Sequence, residues 1–238
     1  FDVVVHFAGS IVVPESVENP VKYYKNNTEN TLNLINLCVK NKINKFIFSS
    51  TAAVYGLPKN GKCTEESLTA PINPYGESKL MSEKMLIDVG NAYPDFKYVI
   101  LRYFNVAGAS LDGRVGQCTP NATHLIKIAC ETAQGKRSQM SIFGDDFPTL
   151  DGTCVRDYIH VDDLAQAHKD AINYLDRNND SEIFNCGYGK GFSVKEVIKA
   201  VKKVSNIDFE VETVSRRLGD GPILIADSTK IKNTLNWK

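Results

Sequence analysis

"KFIFSSTAA", residues 45–53, joins a short apolar run to a cluster of hydroxyl-bearing and small residues. Alone it reads as a strand and a tight turn. It decides the fold because the pattern recurs: "FDVVVHF" (1–7) runs into "AGS" (8–10), and "YVILRYF" (98–104) into "NVAGA" (105–109). Nearly continuous apolar runs of this length suit parallel strands buried on both faces. Between the first two lies "YYKNNTENTLNLINLCVKNK" (23–42), with Leu32, Ile35 and Val39 at helical spacing, and "YGESKLMSEKMLIDV" (75–89) precedes the third. The succession β-α-β-α-β predicts an α/β protein built on a doubly wound parallel sheet. Ligands of such sheets sit beyond the carboxyl ends of the strands, and here all three ends carry small or polar residues.

Past residue 105 the elements shorten. Helices are predicted over 122–134, 162–176 and 193–205, and strands near 139–143, 182–186 and 209–214, as in a smaller α/β lobe. The expected division is 1–105 and 106–238, the second part partly interleaved with the sheet. Hydrophobic residues make up 42% of the chain and charged ones 24%, the composition of an ordinary globular protein. Net charge is zero and no basic stripe stands out, which excludes a nucleic-acid binder of the usual kind. No apolar run approaches a membrane span, and a membrane partner is not expected. Six scattered cysteines without a C-x-x-C read as reduced thiols of a cytoplasmic protein, and no metal site is expected.

One motif carries chemistry. With 10 Tyr and 21 Lys in the chain, roughly one Tyr-x-x-x-Lys spacing arises by chance. Three occur, but "YGLPK" (55–59) and "YPDFK" (93–97) hold an internal proline. Only "NPYGESK" (73–79) places the proline first, with Asn73 as N-cap and Pro74 at the first helical position. Spacing of four then sets Tyr75 and Lys79 on one helical face. A phenol with a pKa of about 10 is a poor base, and a neighbouring ammonium is expected to lower it. Thr51 can stand between the phenol and a substrate hydroxyl. By contrast, "GYGKGF" (187–192) is read as a turn into a helix capped by Ser193 and Glu196, not as a phosphate loop. Asp162 and Asp163 are read as helix caps and His160 as structural.

"SSTAAVYG", "NPYGESK" and "LRYFNVAGA" resemble the Ser/Thr–Tyr-x-x-x-Lys core of the extended short-chain dehydrogenase/reductases. "HFAGSIVVPESVENPVKYYKNN", "IFGDDFPTLDGTCVRDYIHVDDLA" and "RRLGD" are similar, in order, to blocks of the UDP-hexose 4-epimerases of that superfamily. The resemblance implies a Rossmann-type sheet binding NAD within 1–105 and a UDP-sugar lobe over 106–238. It implies that Tyr75, with Lys79 and Thr51, takes the proton of the sugar 4-hydroxyl while NAD takes the C4 hydride, so that UDP-glucose and UDP-galactose interconvert. Phe7, Ala8, Gly9, Ser10, Asn26, Tyr75, Lys79 and Phe104 are the implied cofactor contacts. Thr51, Asn105, His124, Leu125, Ile142, Phe143, Arg156, Arg217 and Asp220 are the implied sugar-nucleotide contacts.

The resemblance also implies a homodimer through helices at 19–41 and 75–91. The G-x-G-x-x-G fingerprint is absent, the chain opens on an apolar run without methionine, and it ends at "LNWK". The expectation is therefore a fragment, lacking the first βαβ steps and the C-terminal end, that binds NAD weakly and turns over little. Other epimerases acting on UDP-N-acetylhexosamine or UDP-glucuronate, and an inactive nucleotide-binding fragment, stay open. Leu224 stands where bulk bears on N-acetylated sugars, and Ile11 where many relatives carry a lysine. A 4,6-dehydratase needs an acid/base pair after the threonine; Ala52 and Ala53 cannot move protons.

Overall fold

The computed structural model describes residues 1–119, 122–217 and 219–238. The chain runs β1 (Val4–His6), α1 (Val13–Glu18), α2 (Pro20–Tyr23), a π-helical turn (Tyr24–Glu29) and α3 (Asn30–Lys40). There follow β2 (Lys45–Thr51), a 3-10 turn (Ala52–Tyr55), β3 (Lys62–Cys63), α4 (Pro74–Ala92), β4 (Lys97–Tyr103) and β5 (Asn105–Ala107). Then come α5 (Leu125–Ala133), β6 (Gln139–Phe143), β7 (Val155–His160), α6 (Val161–Asp176), β8 (Glu182–Cys186) and β9 (Gly191–Ser193). The chain closes with α7 (Val194–Ser205), β10 (Glu210–Val214), β11 (Ile223–Ala226) and α8 (Thr229–Leu235).

The first sheet is parallel throughout, in the order β1-β2-β4-β8. Its apolar runs are continuous because both faces are covered. Ile47, Val99, Leu101 and Phe184 pack beneath α6 and α8 with Leu164, Ala167, Leu175 and Trp237. Phe46, Phe48 and Ile100 pack on the other side against Ile35, Cys38 and Leu86 of α3 and α4. The period-2 alternation of strand side chains thus feeds two apolar layers.

Leu32, counted in the buried stripe of α3, is 46% exposed, and the buried stripe is Thr31, Ile35 and Cys38. Leu32 falls just beside that stripe, whose first member is the hydroxyl-bearing Thr31 and so gives no apolar signal.

Two smaller sheets complete the chain. β6 pairs with β10, and α5 and α7 enclose Ala129, Met140, Ile142, Ile198 and Phe209 against them. The third sheet has the order β3-β11-β7-β5, with β9 antiparallel on β7. Sequence reading missed β7 and β11, which lie in "VRDYIH" and "ILIA", segments valued for their arginine and leucine. β5 begins one residue beyond β4, so the third sheet lies off the carboxyl end of the first.

Candidate functional site

Two groups of side chains gather there. The first forms where β1 and β2 meet the start of α4. Asn73 Oδ1 accepts from the Gly76 amide at 2.9 Å, with Pro74 at the first helical position. Gly76 is required by crowding, since a Cβ there would stand 2.7 Å from the Ala53 carbonyl. That contact brings the first turn of α4 onto the 3-10 turn after Thr51. Lys79 is buried, its Nζ donating to the Ser49 carbonyl at 2.9 Å and lying 4.8 Å from the Phe48 ring centre. Burial lowers its pKa to about 8, against the attraction of Glu83.

Tyr75 departs from expectation. Burial raises the phenol, and the Thr51 hydroxyl beside it works in the opposite direction. Lys79, which gives one hydrogen bond to the Ser49 carbonyl, does not offset that burial. The protein groups alone hold the phenol protonated. Tyr23 meets the Tyr75 ring edge-on, with 6.4 Å between centres.

The loop after β1 is tethered to the π turn. Asn27 accepts from the Ser10 amide at 2.7 Å and donates to the Ser10 carbonyl and to Ser78 Oγ, both at 3.0 Å. Asn26 donates to Ser10 Oγ at 3.0 Å. A Cβ on Gly9 would sit 3.0 Å from Asn27 Oδ1 and 3.5 Å from Lys79 Nζ, so a side chain there would press on Asn27 and crowd the ammonium. Ala8 is exposed, and Phe7, also exposed, lies 4.6 Å from the ring centre of His168. Phe104 is buried in the cluster of Val54, Tyr55, Leu80 and Ala226.

The second group lies on the third sheet and the strand β6. Asn105 pairs with Tyr158, and Leu224 with Arg156. Arg156 and Tyr158 are two apart on β7, so Asn105, Arg156 and Leu224 share one face. Arg217 Nε donates to Asp220 Oδ2 at 2.9 Å, and Arg156 Nη2 lies 3.7 Å from Oδ1 of the same carboxylate. The Arg217 guanidinium stacks 4.5 Å from the Phe143 ring. Gly219 and Gly221, flanking Asp220, approach Ile72 and Leu57, which stand between Thr51 and Tyr75 in the chain. His124 precedes α5 without capping it, its Nδ1 lying 2.8 Å from Gln117 Nε2, and Leu125 begins that helix against β6. Burial lowers the His124 pKa.

Ile142 corrects its reading. Its side chain is turned into the core between α5 and α7, leaving only its backbone to face a ligand. Strand alternation sends Phe143 outward instead.

The smaller readings sort themselves by hydrogen bonding. Ser193 and Glu196 form the expected capping box. The amides of Tyr188 and Gly189 donate to the buried Asp157 carboxylate at 2.9 and 2.8 Å, so "GYGKGF" already cradles an anion of its own. Asp162 and Asp163 occupy the first turn of α6 but do not cap it; His160 does, accepting from the Asp162 amide at 3.2 Å. Sequence reading also missed Asn27, Glu83, Arg102 and Tyr103. The spacing 75, 79, 83 on α4 holds the only available sign of Glu83.

Among the described residues no cluster of His, Cys, Asp and Glu could hold a metal, and no helix is long and apolar enough to cross a membrane. All six cysteines are free thiols.

The site thus holds a buried phenol and lysine one helical turn apart, and a carboxylate shared by two arginines. Residues 1–187 match the model of the NAD dependent epimerase/dehydratase family, and the chain belongs to that family. The chain is 54% identical over 236 residues to the UDP-glucose 4-epimerase of Azospirillum brasilense, covering 99% of this chain and 68% of that protein. It is 59% identical to the UDP-Glc/GlcNAc 4-epimerase of Campylobacter jejuni, with a TM-score of 0.85, covering 100% of this chain and 72% of the other. The UDP-glucose 4-epimerase of Bifidobacterium longum, solved with NAD+ and UDP, is 42% identical with a TM-score of 0.95, covering 100% and 71%.

Proposed function

We propose that this chain interconverts UDP-glucose and UDP-galactose with NAD, by transient oxidation at the sugar C4, and that Tyr75 is the base. The observation that carries the reading is the first turn of α4, where Gly76 allows Tyr75 to lie against the turn that follows Thr51. The sequence and structural likeness to UDP-glucose 4-epimerases over nearly the whole chain supports the same reaction.

When bound, NAD supplies a hydride acceptor and a positive charge. The open backbone at Ala8 and Gly9, the tethered Ser10 and Asn26, and Lys79 fit such a group. Three N–H donors sit on the ammonium and one goes to Ser49, leaving two for a ligand. Thr51 passes the proton of the sugar hydroxyl to Tyr75, whose phenol becomes a useful base once a second positive charge opposes its burial. Arg156 and Arg217 grip the pyrophosphate with paired donors, and Asp220 keeps both oriented. Asn105, His124, Leu125, Phe143 and the Ile142 backbone line the sugar-nucleotide path. On this reading residues 1–105 hold the cofactor and 106–238 the UDP-sugar. Ala52 and Ala53 supply no acid/base pair, which opposes a dehydratase.

A second substrate class, N-acetylated UDP-hexoses, is favoured by the likeness to the dual-specificity Campylobacter enzyme. Leu224 lies beside Arg156 with its side chain partly engaged in packing against the cluster that includes Ala52 and Phe104. Val21, Leu32 and Met81 expose apolar surface on α2, α3 and α4, which supports a homodimer through those helices, and six free thiols suit a cytoplasmic setting. The test is to add UDP-galactose and NAD and follow UDP-glucose, with Tyr75→Phe alongside. No conversion by the parent, with NAD saturating and UDP-galactose shown to bind, sinks the epimerase; undiminished conversion by the variant sinks Tyr75 as the base.

A further inference from the structure

One rung back from the strand ends, the first sheet carries buried charge. Ser50, Arg102 and Asn185 are cross-strand neighbours on β2, β4 and β8, so their side chains share a face. Glu83 of α4 lies over that rung, with no exposed surface, and Arg102 is 4% exposed. Arg102 donates from Nη2 to Glu83 Oε2 at 2.6 Å and from Nε to both carboxylate oxygens at 3.1 Å. The Ser50 hydroxyl donates to Glu83 as well. Arg102 Nη1 donates to Tyr55 Oη at 3.1 Å, and that phenol donates to Asn185 Oδ1 at 2.6 Å.

Such a pair is a poor investment in stability alone, because well-packed apolar residues of similar volume commonly do as well. Its location suggests another use. Glu83 is one helical turn beyond Lys79 and two beyond Tyr75. β2 holds both turns with consecutive residues: the Ser49 carbonyl takes Lys79, and the Ser50 hydroxyl reaches Glu83.

The titratable groups facing Lys79 are His6 of β1 and Glu83 of its own helix; Tyr23 of α2 and Tyr103 of β4 face Tyr75. His6 stays neutral, since burial first and Lys79 second lower its pKa to about 4. On the π turn packed against α4, Lys25 and Glu29 are exposed, and on α1 Glu15 is taken by Lys22. Among the described residues Glu83 is thus the buried anion that acts on the ammonium.

We propose that Glu83, anchored by Arg102 and Ser50, is a positioning residue that keeps Lys79 a cation seated on the end of β2. The inference rests on the epimerase reading for its purpose but not for its test. Lysine carrying 13C at Cε is incorporated and titrated by NMR in the substrate-free protein, with Lys79→Met assigning the signal. Lys79 is expected to titrate near pH 8 in the parent, and about one pH unit lower in Glu83→Gln. Glu83→Gln/Arg102→Met removes the counter-charge too, so no buried charge is stranded, and it is expected to show a lowering of the same sign but smaller, since a repelling cation leaves with the anion. An unchanged midpoint in either folded variant overturns the proposal.

Turnover supplies a second reading. At pH 7.5 the cationic fraction falls from about three-quarters to about one-quarter, so kcat drops about threefold, recovers below about pH 6, and leaves KM within about twofold. Glu83→Asp restores the parent profile. A loss of kcat equal at every pH marks a merely structural role and overturns the proposal. If the parent itself converts no UDP-galactose, the epimerase reading falls, while the Lys79 titration still decides the role of Glu83.

Discussion

Lys79 and Arg217 are both cations beside an aromatic ring, Phe48 in one case and Phe143 in the other, and there the likeness ends. The lysine is 3% exposed and rests on a backbone carbonyl; the arginine side chain is 44% exposed and shares Asp220 with Arg156. An ammonium responds to burial, so a dry setting can bring its pKa near neutrality. A guanidinium keeps its charge anywhere, so it suits an open site whose task is to hold an anionic ligand. On the proposed reading, proton transfer and ligand grip fall to different cations, each the kind its surroundings permit.

The comparison makes demands on measurement. Tyr75→Phe, at the dry site, should lower kcat by about 10²–10⁴-fold while leaving UDP affinity unchanged. Steady-state rates beside UDP calorimetry check this, and a parallel loss of affinity would erase the separation. Arg102→Met strands Glu83 and should cost about 3–5 kcal/mol in urea unfolding, with most of it regained in Glu83→Gln/Arg102→Met. Arg156→Ala, at the open site, should weaken UDP binding by about 1.5–3 kcal/mol with little change in stability. Removing the helix cap with Asn73→Ala should cost about 1 kcal/mol in the same unfolding assay. The last effect is one of pH and is read as a slope. His6 has a folded pKa of about 4 against an ordinary 6.5, so stability falls as pH drops through that window and His6→Gln should flatten the decline.

Much of the first sheet was legible because its signals are local. The three apolar runs, the Asn73–Pro74 start and the Ser193–Glu196 box each lie within one element, and each stands as read. Tyr75 and Lys79 were found because four residues separate them. What escaped depends on register across the chain. Ser50 meets Arg102, and Arg102 meets Asn185, only once strands pair. β7 escaped because "VRDYIH" alternates polar and apolar residues too weakly to stand out beside its ligand-like arginine. The acidity of Tyr75 was misjudged because the sequence shows the neighbouring charge but not the depth of burial.

The wide turn at Tyr24–Glu29 has a bearing of its own. Adjacent residues of a regular α-helix diverge by about 100°. Here Asn26 and Asn27 fasten Ser10 by hydroxyl, amide and carbonyl together, a three-point hasp closing the first strand's exit onto the helix layer. The helical irregularity and the fastening thus fall on the same two residues, and through them the loop over Gly9 is tied down.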